Sequence, residues 1–271
     1  AEGLTKGDLV DHYLSVASVI LPHLRDRPLS LRRFPDGIGA GGFYQKEVPD
    51  HFPAWISRAR VPVKEDGHRQ EQVVCNDEAT LAYLADQAVI TLHPWPARSD
   101  RLDRPDRMIF DLDPPDEGFE PVRRAAADLH DLLDEVGLPC FVMTTGSKGL
   151  HVVVPLERRQ GFDFVRDLAR DLAQVLAGRE PHRYTTAPRK ARRRGRLFLD
   201  YLRNAHGQTS VAPYAVRARP GAPVACPLEW EELGKGDLDA RRWRVENLPR
   251  RLAQREDPWR EIAAASTRLE K

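Results

Sequence analysis

Two carboxylates separated by one residue, Asp111 and Asp113, end an apolar run that begins at Met108. On a β-strand, residues two apart project from the same face of the sheet, so both side chains can bind the same cations. Mg²⁺ and Mn²⁺ prefer carboxylate and phosphate oxygens, and a pair of such ions can stabilise the attacking and leaving oxygens of a phosphoryl displacement. A DxD pattern alone is weak, because carboxylates are common at strand ends. Here the apolar run makes two charges costly unless a counter-charge is present.

A third carboxylate, Asp200, interrupts a second apolar run, from Leu197 to Leu202. A metal ion shared with the DxD pair would compensate its charge. An ion pair with one of the nearby arginines would do the same, and the residues alone leave both interpretations open.

The segment Thr145-Gly-Ser-Lys-Gly-Leu-His151 combines two hydroxyls, a lysine and a histidine around two glycines. All four side chains can donate hydrogen bonds to phosphate oxygens. It is not a P-loop, because that pattern needs four residues between its glycines and a helix after them. The alternative is an ordinary hairpin turn followed by an ordinary strand histidine.

Basic residues are concentrated before the second apolar run. The chain carries 42 Lys and Arg against 41 Asp and Glu, a formal net charge of only +1. Local clustering therefore matters more than the sum for a polyanionic partner, although a charge run is often just a solvated face. The cluster consists of Arg189, Lys190, Arg192, Arg193, Arg194 and Arg196.

Composition excludes several classes of protein. With 271 residues, 41% of them hydrophobic, the chain can bury a large core. Its three cysteines have neither disulfide-framework nor zinc-ligand spacing, which favours a reducing cytoplasm. There is no apolar run of about 18 residues and no signal-peptide order, so we expect a soluble protein that is not exported and has no membrane partner.

The elements that must position these residues alternate between strands and helices from residue 108 onward. Pro121 opens an amphipathic helix that Gly137 ends, and a second helix runs from Phe162 to Leu176. The predicted order is strand, helix, strand, strand, helix, strand, strand, which resembles a split βαβ sheet with helices on one face. The predicted strands are 108–112, 141–144, 150–155, 197–202 and 209–216.

An N-terminal α/β module is predicted ahead of this sheet. Residues 4–24 have helical periodicity, with Thr5 and Asp8 forming a capping box. A hairpin follows over 29–46, then a helix capped by Asn76 and ending near Ala88, then a strand over 89–92. The predicted domains are an N-terminal module (1–106), a catalytic sheet (107–235) and a peripheral helical segment (236–271).

The motifs together resemble a known family. Phe110-Asp-Leu-Asp-Pro114, Thr145–His151 and Arg193-Arg-Gly-Arg-Leu-Phe-Leu-Asp200 are similar to motifs of the polymerase domain of bacterial ATP-dependent DNA ligase D, in the archaeo-eukaryotic primase superfamily. The resemblance extends through 13–33, Gly42–Lys46 and Ser210-Val-Ala-Pro-Tyr214, and covers the chain to about residue 235. It implies an α/β (α+β) primase-polymerase fold with an RRM-like split βαβ catalytic sheet.

The resemblance also implies roles for individual residues. Asp111, Asp113 and Asp200 match the metal-binding catalytic triad, and Lys6 matches a position that binds the 5′-phosphate of the downstream DNA strand. Thr145, Arg32 and Arg203 depart from the family, which often has serine, lysine and glutamine there. The residues that match nucleotide-binding positions are Arg32, Phe43, Tyr44, His93, Thr145, Ser147, Lys148, His151, Arg193 and Arg217.

The implied activity is extension of a primer 3′-OH with ribo- or deoxyribonucleoside triphosphates at DNA gaps and double-strand breaks in non-homologous end joining. The resemblance implies two Mn²⁺ or Mg²⁺ ions, a preference for ribonucleotides, and activation by Mn²⁺. It implies 5′-phosphorylated DNA, a Ku-like protein and a DNA ligase as partners, in the cytoplasm and at the nucleoid of a bacterium or archaeon. A de novo primase, a non-catalytic DNA-end-binding module and a metal-dependent nuclease are the alternatives.

Overall fold

The computed structural model describes residues 3–63, 68–115 and 118–269. The chain divides into two compact units. The first unit comprises Ala1–Leu102, Thr209–Ala225 and Trp243–Glu256, and the second comprises Asp103–Gln208, Cys226–Arg242 and Asp257–Lys271. The domain limits at residues 106 and 235 stay a prediction.

The first unit begins with helices and two small antiparallel sheets. Its helices up to residue 102 are α1 (Lys6–Ser15), α2 (Ala17–Leu24) and α3 (Glu78–Asp86). Its strands are β1 (Leu29–Arg33), β2 (Phe43–Gln45), β3 (Arg58–Pro62), β4 (Arg69–Val73) and β5 (Val89–Pro94). The first sheet has the order β2-β1-β5, and β3 pairs with β4. The predicted hairpin is confirmed, because Arg32 pairs with Tyr44 in antiparallel register.

The N-terminal helix is capped as predicted but is divided in two. Thr5 Oγ1 accepts a hydrogen bond from Asp8 N, and Asp8 accepts one from Thr5 N at 2.7 Å, which confirms the capping box. Val16 separates α1 from α2 with φ −104° and ψ 6°. The apolar pattern continues through both helices, so periodicity could not locate the break.

The cap of α3 is Asp77, and the prediction of Asn76 was wrong by one residue. Asp77 accepts a hydrogen bond from Thr80 N at 2.7 Å. Asn76 instead bonds to Asp26, with its Oδ1 accepting from Asp26 N at 2.7 Å and its Nδ2 donating to Asp26 Oδ1 at 2.9 Å. The amide of Asn76 is therefore used to connect two loops.

The second unit is built on one mixed sheet. Its strands are β6 (Arg107–Asp113), β7 (Phe141–Thr144), β8 (Leu150–Pro155), β9 (Tyr184–Thr185), β10 (Leu197–Asp200) and β11 (Cys226–Leu228). Its helices up to residue 242 are α4 (Glu120–Glu135), α5 (Phe162–Arg179) and α6 (Lys190–Arg193). The strand order is β11-β7-β8-β6-β10-β9.

Every residue of β6 is buried except Asp113 at its end. Met108, Phe110 and Leu112 are fully buried, as required on a sheet face that helices cover. Helices α4 and α5 pack against each other and against β6, and α4 has Pro121 in its first turn, as predicted. Leu129 of α4 is fully buried, so its truncation to alanine would cost about 2–5 kcal/mol.

Two predicted strands differ in the structure. The run from Leu197 ends as a strand at Asp200 and continues as a 3₁₀ helix, Leu202–Asn204. The predicted strand 209–216 is irregular. Pro213 lacks an N–H, and Tyr214 has φ 64°, so the backbone there leaves the extended region.

The C-terminal segment is helical only over α7 (Leu248–Gln254) among the residues described after 237. Trp259 is 1% exposed, and its Nε1–H donates to Val142 O at 3.1 Å, so this part is built into the core of the second unit. Within the described ranges, no helix is both long and apolar enough to cross a membrane.

Candidate active site

Strand register brings the three predicted catalytic carboxylates onto one face of the second unit's sheet. Asp111 on β6 pairs directly with Asp200 on β10 and, on its other side, with His151 on β8. Residues paired in register point to the same face, and Asp113 lies two residues beyond Asp111 on that face. We call Asp111, Asp113 and Asp200 the carboxylate cluster.

Two basic side chains face the carboxylate of Asp111. Arg203 Nε donates to Asp111 Oδ2 at 3.0 Å, and His151 Nε2 lies 3.6 Å from Oδ1. Burial by itself would raise the pKa of Asp111, but His151 and Arg203 outweigh it and hold the pKa at about 2. Asp111 is therefore ionised at neutral pH.

The other two carboxylates are less well compensated. Loss of solvent raises the pKa of Asp113 above its ordinary value, and the charge of Asp111 adds to this effect. Loss of solvent also raises the pKa of Asp200, although Leu202 N donates to its Oδ1 at 2.8 Å. A nearby cation would lower the pKa of both carboxyl groups and favour their ionised form.

The turn between β7 and β8 packs against the end of β6. Thr145 Oγ1 is used within the turn, where it accepts from Gly149 N at 3.2 Å and donates to Gly149 O at 3.1 Å. A Cβ on Gly149 would overlap Leu112 O and lie 2.8 Å from Asp113 Oδ1. Lys148 is exposed, and its charge lowers the pKa of Asp113. The turn therefore places Lys148 near the carboxylate cluster.

Arg193 lies beside the same cluster because the basic stretch folds back. Arg194 and Gly195 have positive φ values of 51° and 77°, which reverse the chain after α6. The Arg193 guanidinium is 4.3 Å from the centre of the Phe198 ring, and Phe198 pairs with Asp113. The predicted return of the chain at Gly195 is confirmed, while the role of Arg193 toward a nucleotide stays a prediction.

The remaining predicted nucleotide-binding residues belong to the first unit. Arg32 pairs with Tyr44, and His93 pairs with Ser30, two residues before Arg32, so Arg32, Tyr44 and His93 share one sheet face. The Arg32 guanidinium is 4.8 Å from the Tyr44 ring centre, and the Tyr44 and His93 rings are 5.5 Å apart. Phe43, adjacent to Tyr44, projects from the opposite face and is not gathered with them.

Lys6 and Arg217 line one cavity of about 530 Å³ in the first unit. Lys6 is the first residue of α1 and is exposed. Arg219 also lines this cavity, together with the glycine-rich loop Gly37–Gly39. Its charged lining consists of three basic side chains, Lys6, Arg217 and Arg219, and two acidic ones, Asp8 and Asp36, and the phosphate-binding role of Lys6 stays a prediction.

The carboxylate cluster fits a divalent cation in its chemistry. Among residues 3–63, 68–115 and 118–269, no group of three or more His, Cys, Asp and Glu side chains is close enough to hold a metal ion as it stands. The three carboxylates nevertheless share one sheet face, and two have pKa values that burial raises. Oxygen donors of this kind are the ligands that Mg²⁺ and Mn²⁺ prefer.

Sequence reasoning missed two contacts at this site. In the sequence, Arg203 stands out only as a departure from the family's glutamine. Its hydrogen bond to Asp111 depends on the 3₁₀ helix after β10. Arg241 Nε donates to Ser147 O at 2.8 Å, which connects the C-terminal part of the second unit to the β7–β8 turn. No sequence pattern indicated a contact across 94 residues.

Comparisons with known proteins identify the class. The sequence model of the LigD primase-polymerase domain family matches residues 5–259. The multifunctional non-homologous end joining protein LigD of Pseudomonas aeruginosa is 38% identical over 269 residues, 98% of this chain and 32% of the relative. The bifunctional LigD of Bacillus subtilis is 31% identical over 84% of this chain and 37% of the relative. The polymerase domain from Mycobacterium tuberculosis ligase D, solved in complex with DNA, superimposes with a TM-score of 0.88 at 30% identity, covering 97% of this chain and 93% of that one.

The chain is thus a primase-polymerase domain in fold, and the α/β class predicted from the sequence is confirmed. It belongs to the LigD primase-polymerase domain family, as the resemblance implied. The chain spans about a third of the length of the relatives it matches.

Proposed function

We propose that this protein is a nucleotidyltransferase that extends a primer 3′-OH at DNA gaps and double-strand breaks in non-homologous end joining. The observation that carries the proposal is the register of the carboxylate cluster, with Asp111 paired to Asp200 and Asp113 on the same face. Lys148 and Arg193 lie beside this cluster and suit the negative charge of a triphosphate. Membership of the LigD polymerase family supports the same reaction.

The carboxylate cluster would hold two divalent ions, Mn²⁺ or Mg²⁺. Bound there, the ions would supply Lewis acidity toward the attacking and leaving oxygens. In the second unit, Lys148 and Arg193 would stabilise charge on the nucleotide phosphates, and Thr145, Ser147 and His151 would complete the pocket. The resemblance also implies a nucleotide-binding role for Arg217, which belongs to the first unit. Arg32, Phe43, Tyr44 and His93 of the first unit are also predicted to bind the nucleotide, with Phe43 and Tyr44 at stacking positions, and stacking of a base on an aromatic ring contributes about 1–3 kcal/mol.

The DNA substrate would carry a 5′-phosphate, which Lys6 would bind in the first unit's cavity, with Arg217 and Arg219 on the same lining. The DNA in the structure of the Mycobacterium tuberculosis relative supports such a partner. A preference for ribonucleotides, activation by Mn²⁺, and cooperation with a Ku-like protein and a DNA ligase are parts of the proposal. A place at the nucleoid follows from a DNA substrate.

The test is primer extension on a gapped duplex with a 5′-phosphate downstream, with each nucleotide type and each metal supplied separately. We expect Asp111→Asn to lower the extension rate by at least about a thousandfold, because a metal ligand is lost. DNA affinity should be unchanged or slightly higher. The control Asp171→Asn removes an exposed carboxylate of α5 and should leave the rate unchanged.

Three results would overturn the proposal. Extension by Asp111→Asn at a rate near the parent's would remove the catalytic role of the carboxylate cluster. Synthesis that starts equally well without a primer would indicate a primase. DNA binding with no extension under any metal would indicate an end-binding module.

A further inference from the structure

Arg203 occupies an unusual position for an arginine at a metal-binding site. Its Nε–H donates to Asp111 Oδ2 at 3.0 Å, and Asp111 is a proposed metal ligand. A guanidinium and a divalent ion use the same lone pairs of a carboxylate, and they repel each other at short range. The Arg203 guanidinium and a divalent ion therefore cannot bind Asp111 Oδ2 at full strength at the same time.

The position of Arg203 is fixed by the fold rather than by a flexible loop. Arg203 lies in the 3₁₀ helix Leu202–Asn204. The neighbouring Asn204 Nδ2 donates to Ile109 O and its Oδ1 accepts from Ile109 N, both at 2.8 Å. These bonds attach the 3₁₀ helix to β6, two residues from Asp111, so Arg203 is held against the carboxylate cluster.

The two partners differ in how easily they can separate. The Arg203 side chain is 38% exposed, whereas the Asp111 side chain is 11% exposed. Arg203 can therefore turn to water or to a phosphate without leaving a buried charge unpaired. Asp111 cannot lose its counter-charge without a large desolvation penalty. The structure thus allows exchange of one cation for another at Asp111, but not simple loss of a cation.

We propose that Arg203 and a divalent cation compete for Asp111, so that Arg203 sets the metal affinity of the carboxylate cluster and links it to nucleotide binding. The inference rests on the proposed function. When a metal ion takes Asp111, the released guanidinium can donate to triphosphate oxygens in bidentate fashion. Nucleotide and metal then strengthen each other's binding, because the nucleotide supplies Arg203 with a new acceptor.

The experiment measures Mn²⁺ binding by electron paramagnetic resonance of the free ion, with neither DNA nor nucleotide present. Arg203→Gln should lower the Kd for Mn²⁺ by about fivefold or more, since a unit charge at this separation corresponds to roughly that factor even in water. Arg203→Lys keeps the charge and should bind Mn²⁺ about as weakly as the parent. With a non-hydrolysable nucleoside triphosphate added, the parent's Kd should fall by a larger factor than that of Arg203→Gln.

Arg179→Gln is the matched control, because Arg179 pairs with Glu135 on the helices of the same unit and its loss changes the net charge equally. Its Mn²⁺ affinity should equal the parent's. An equal or higher Kd for Arg203→Gln than for the parent would overturn the inference, as would tight binding by Arg203→Lys. If Asp111→Asn binds Mn²⁺ as well as the parent does, the proposed metal site itself is wrong.

A measurement on the unaltered protein covers the case in which Arg203→Gln does not fold. The ¹H–¹⁵N resonance of Arg203 Nε should shift as Mg²⁺ saturates the protein, because its acceptor on Asp111 is replaced. A resonance that does not move at saturation would contradict the competition.

Discussion

Arg192 and Arg193 are adjacent residues of the same type, but their surroundings assign them different roles. Arg193 stacks on Phe198, beside Asp113, and its Nη2 donates to Pro188 O at 2.8 Å. Arg192 is exposed. We expect Arg193→Ala to raise the KM for the nucleotide by roughly tenfold or more and to lower kcat, with little change in DNA affinity. Steady-state kinetics at several nucleotide concentrations measure both parameters.

Arg192→Ala serves as the control for charge. It should weaken DNA binding and reduce the dependence of DNA affinity on salt, while the nucleotide KM stays near the parent's. The same response from both variants would mean that the stretch is an undifferentiated basic patch.

Lys6 is suited to binding a terminal phosphate because it lies at the exposed N-terminus of α1, where the helix dipole also favours an anion. Lys6→Ala should weaken binding to gapped DNA with a 5′-phosphate by about 1–3 kcal/mol. Binding to the same DNA without the phosphate should barely change. Fluorescence titration with the two DNAs gives the difference.

Lys46→Ala removes an equal charge from an exposed position of the first unit. This variant should weaken binding to both DNAs by the same small amount. If Lys6→Ala behaved in this way too, Lys6 would be part of a diffuse basic surface.

At the scale of elements, the contact between the β7–β8 turn and the end of β6 depends on Gly149. Gly149→Ala places a Cβ against Leu112 O and Asp113 Oδ1, so the turn or the strand end has to shift. We expect a loss of about 1–3 kcal/mol in the free energy of unfolding and a marked fall in extension rate. Urea denaturation and primer extension measure the two effects.

The control is Gly178→Ala in α5, where an added Cβ meets no atom within 4 Å. Alanine there should stabilise the helix by about 0.5–1 kcal/mol and leave the extension rate unchanged. A Gly149→Ala variant with normal stability and activity would show that the turn tolerates the shift.

The elements that could be predicted from sequence are those whose own residues determine them. The strands β7 and β8 have the predicted bounds because each is a short and mainly apolar run, and the turn Thr145–Gly149 separates them. The strands β3 and β4 were missed because they carry charged residues and pair mainly with each other, so no apolar run marks them. The run 209–216 has apolar residues but lacks strand geometry at Pro213 and Tyr214.

The same distinction applies to the candidate active site, where some features follow from one strand alone and others depend on neighbouring elements. The shared face of Asp111 and Asp113 follows from the two-residue period of a strand, and it needed no knowledge of neighbouring strands. The pairing of Asp200 with Asp111 is a property of strand order. The bond from Arg203 to Asp111 depends on a 3₁₀ turn and on a tertiary anchor, Asn204, and neither has a signature in the sequence.

At the scale of the whole molecule, stability should depend on pH through His12 of the first unit. His12 is 4% exposed, and burial lowers its pKa from 6.5 to about 4. The unfolded chain takes up this proton below about pH 6.5, whereas the folded protein does so only near pH 4. Stability is therefore lost as pH falls through this window, by roughly 3 kcal/mol in total.

The measurement is urea denaturation of the parent and of His12→Leu between pH 7 and pH 4. The variant has no proton to bind at this position, so its loss of stability across the window should be smaller than the parent's by a few kcal/mol. Parallel losses in both proteins would mean that other groups cause the acid sensitivity.

The interleaving of the two units has a consequence for how the protein is made. The first unit includes Trp243–Glu256 and the second includes Asp257–Lys271, so each takes residues that lie far along the chain from the first segment of that unit. A ribosome releases the chain from its N-terminus, and contiguous domains can fold while synthesis continues. Here neither unit has all its residues until more than 240 have left the ribosome. Neither unit can therefore complete its packing during synthesis until residues after 242 have emerged, although every strand named above lies before residue 229.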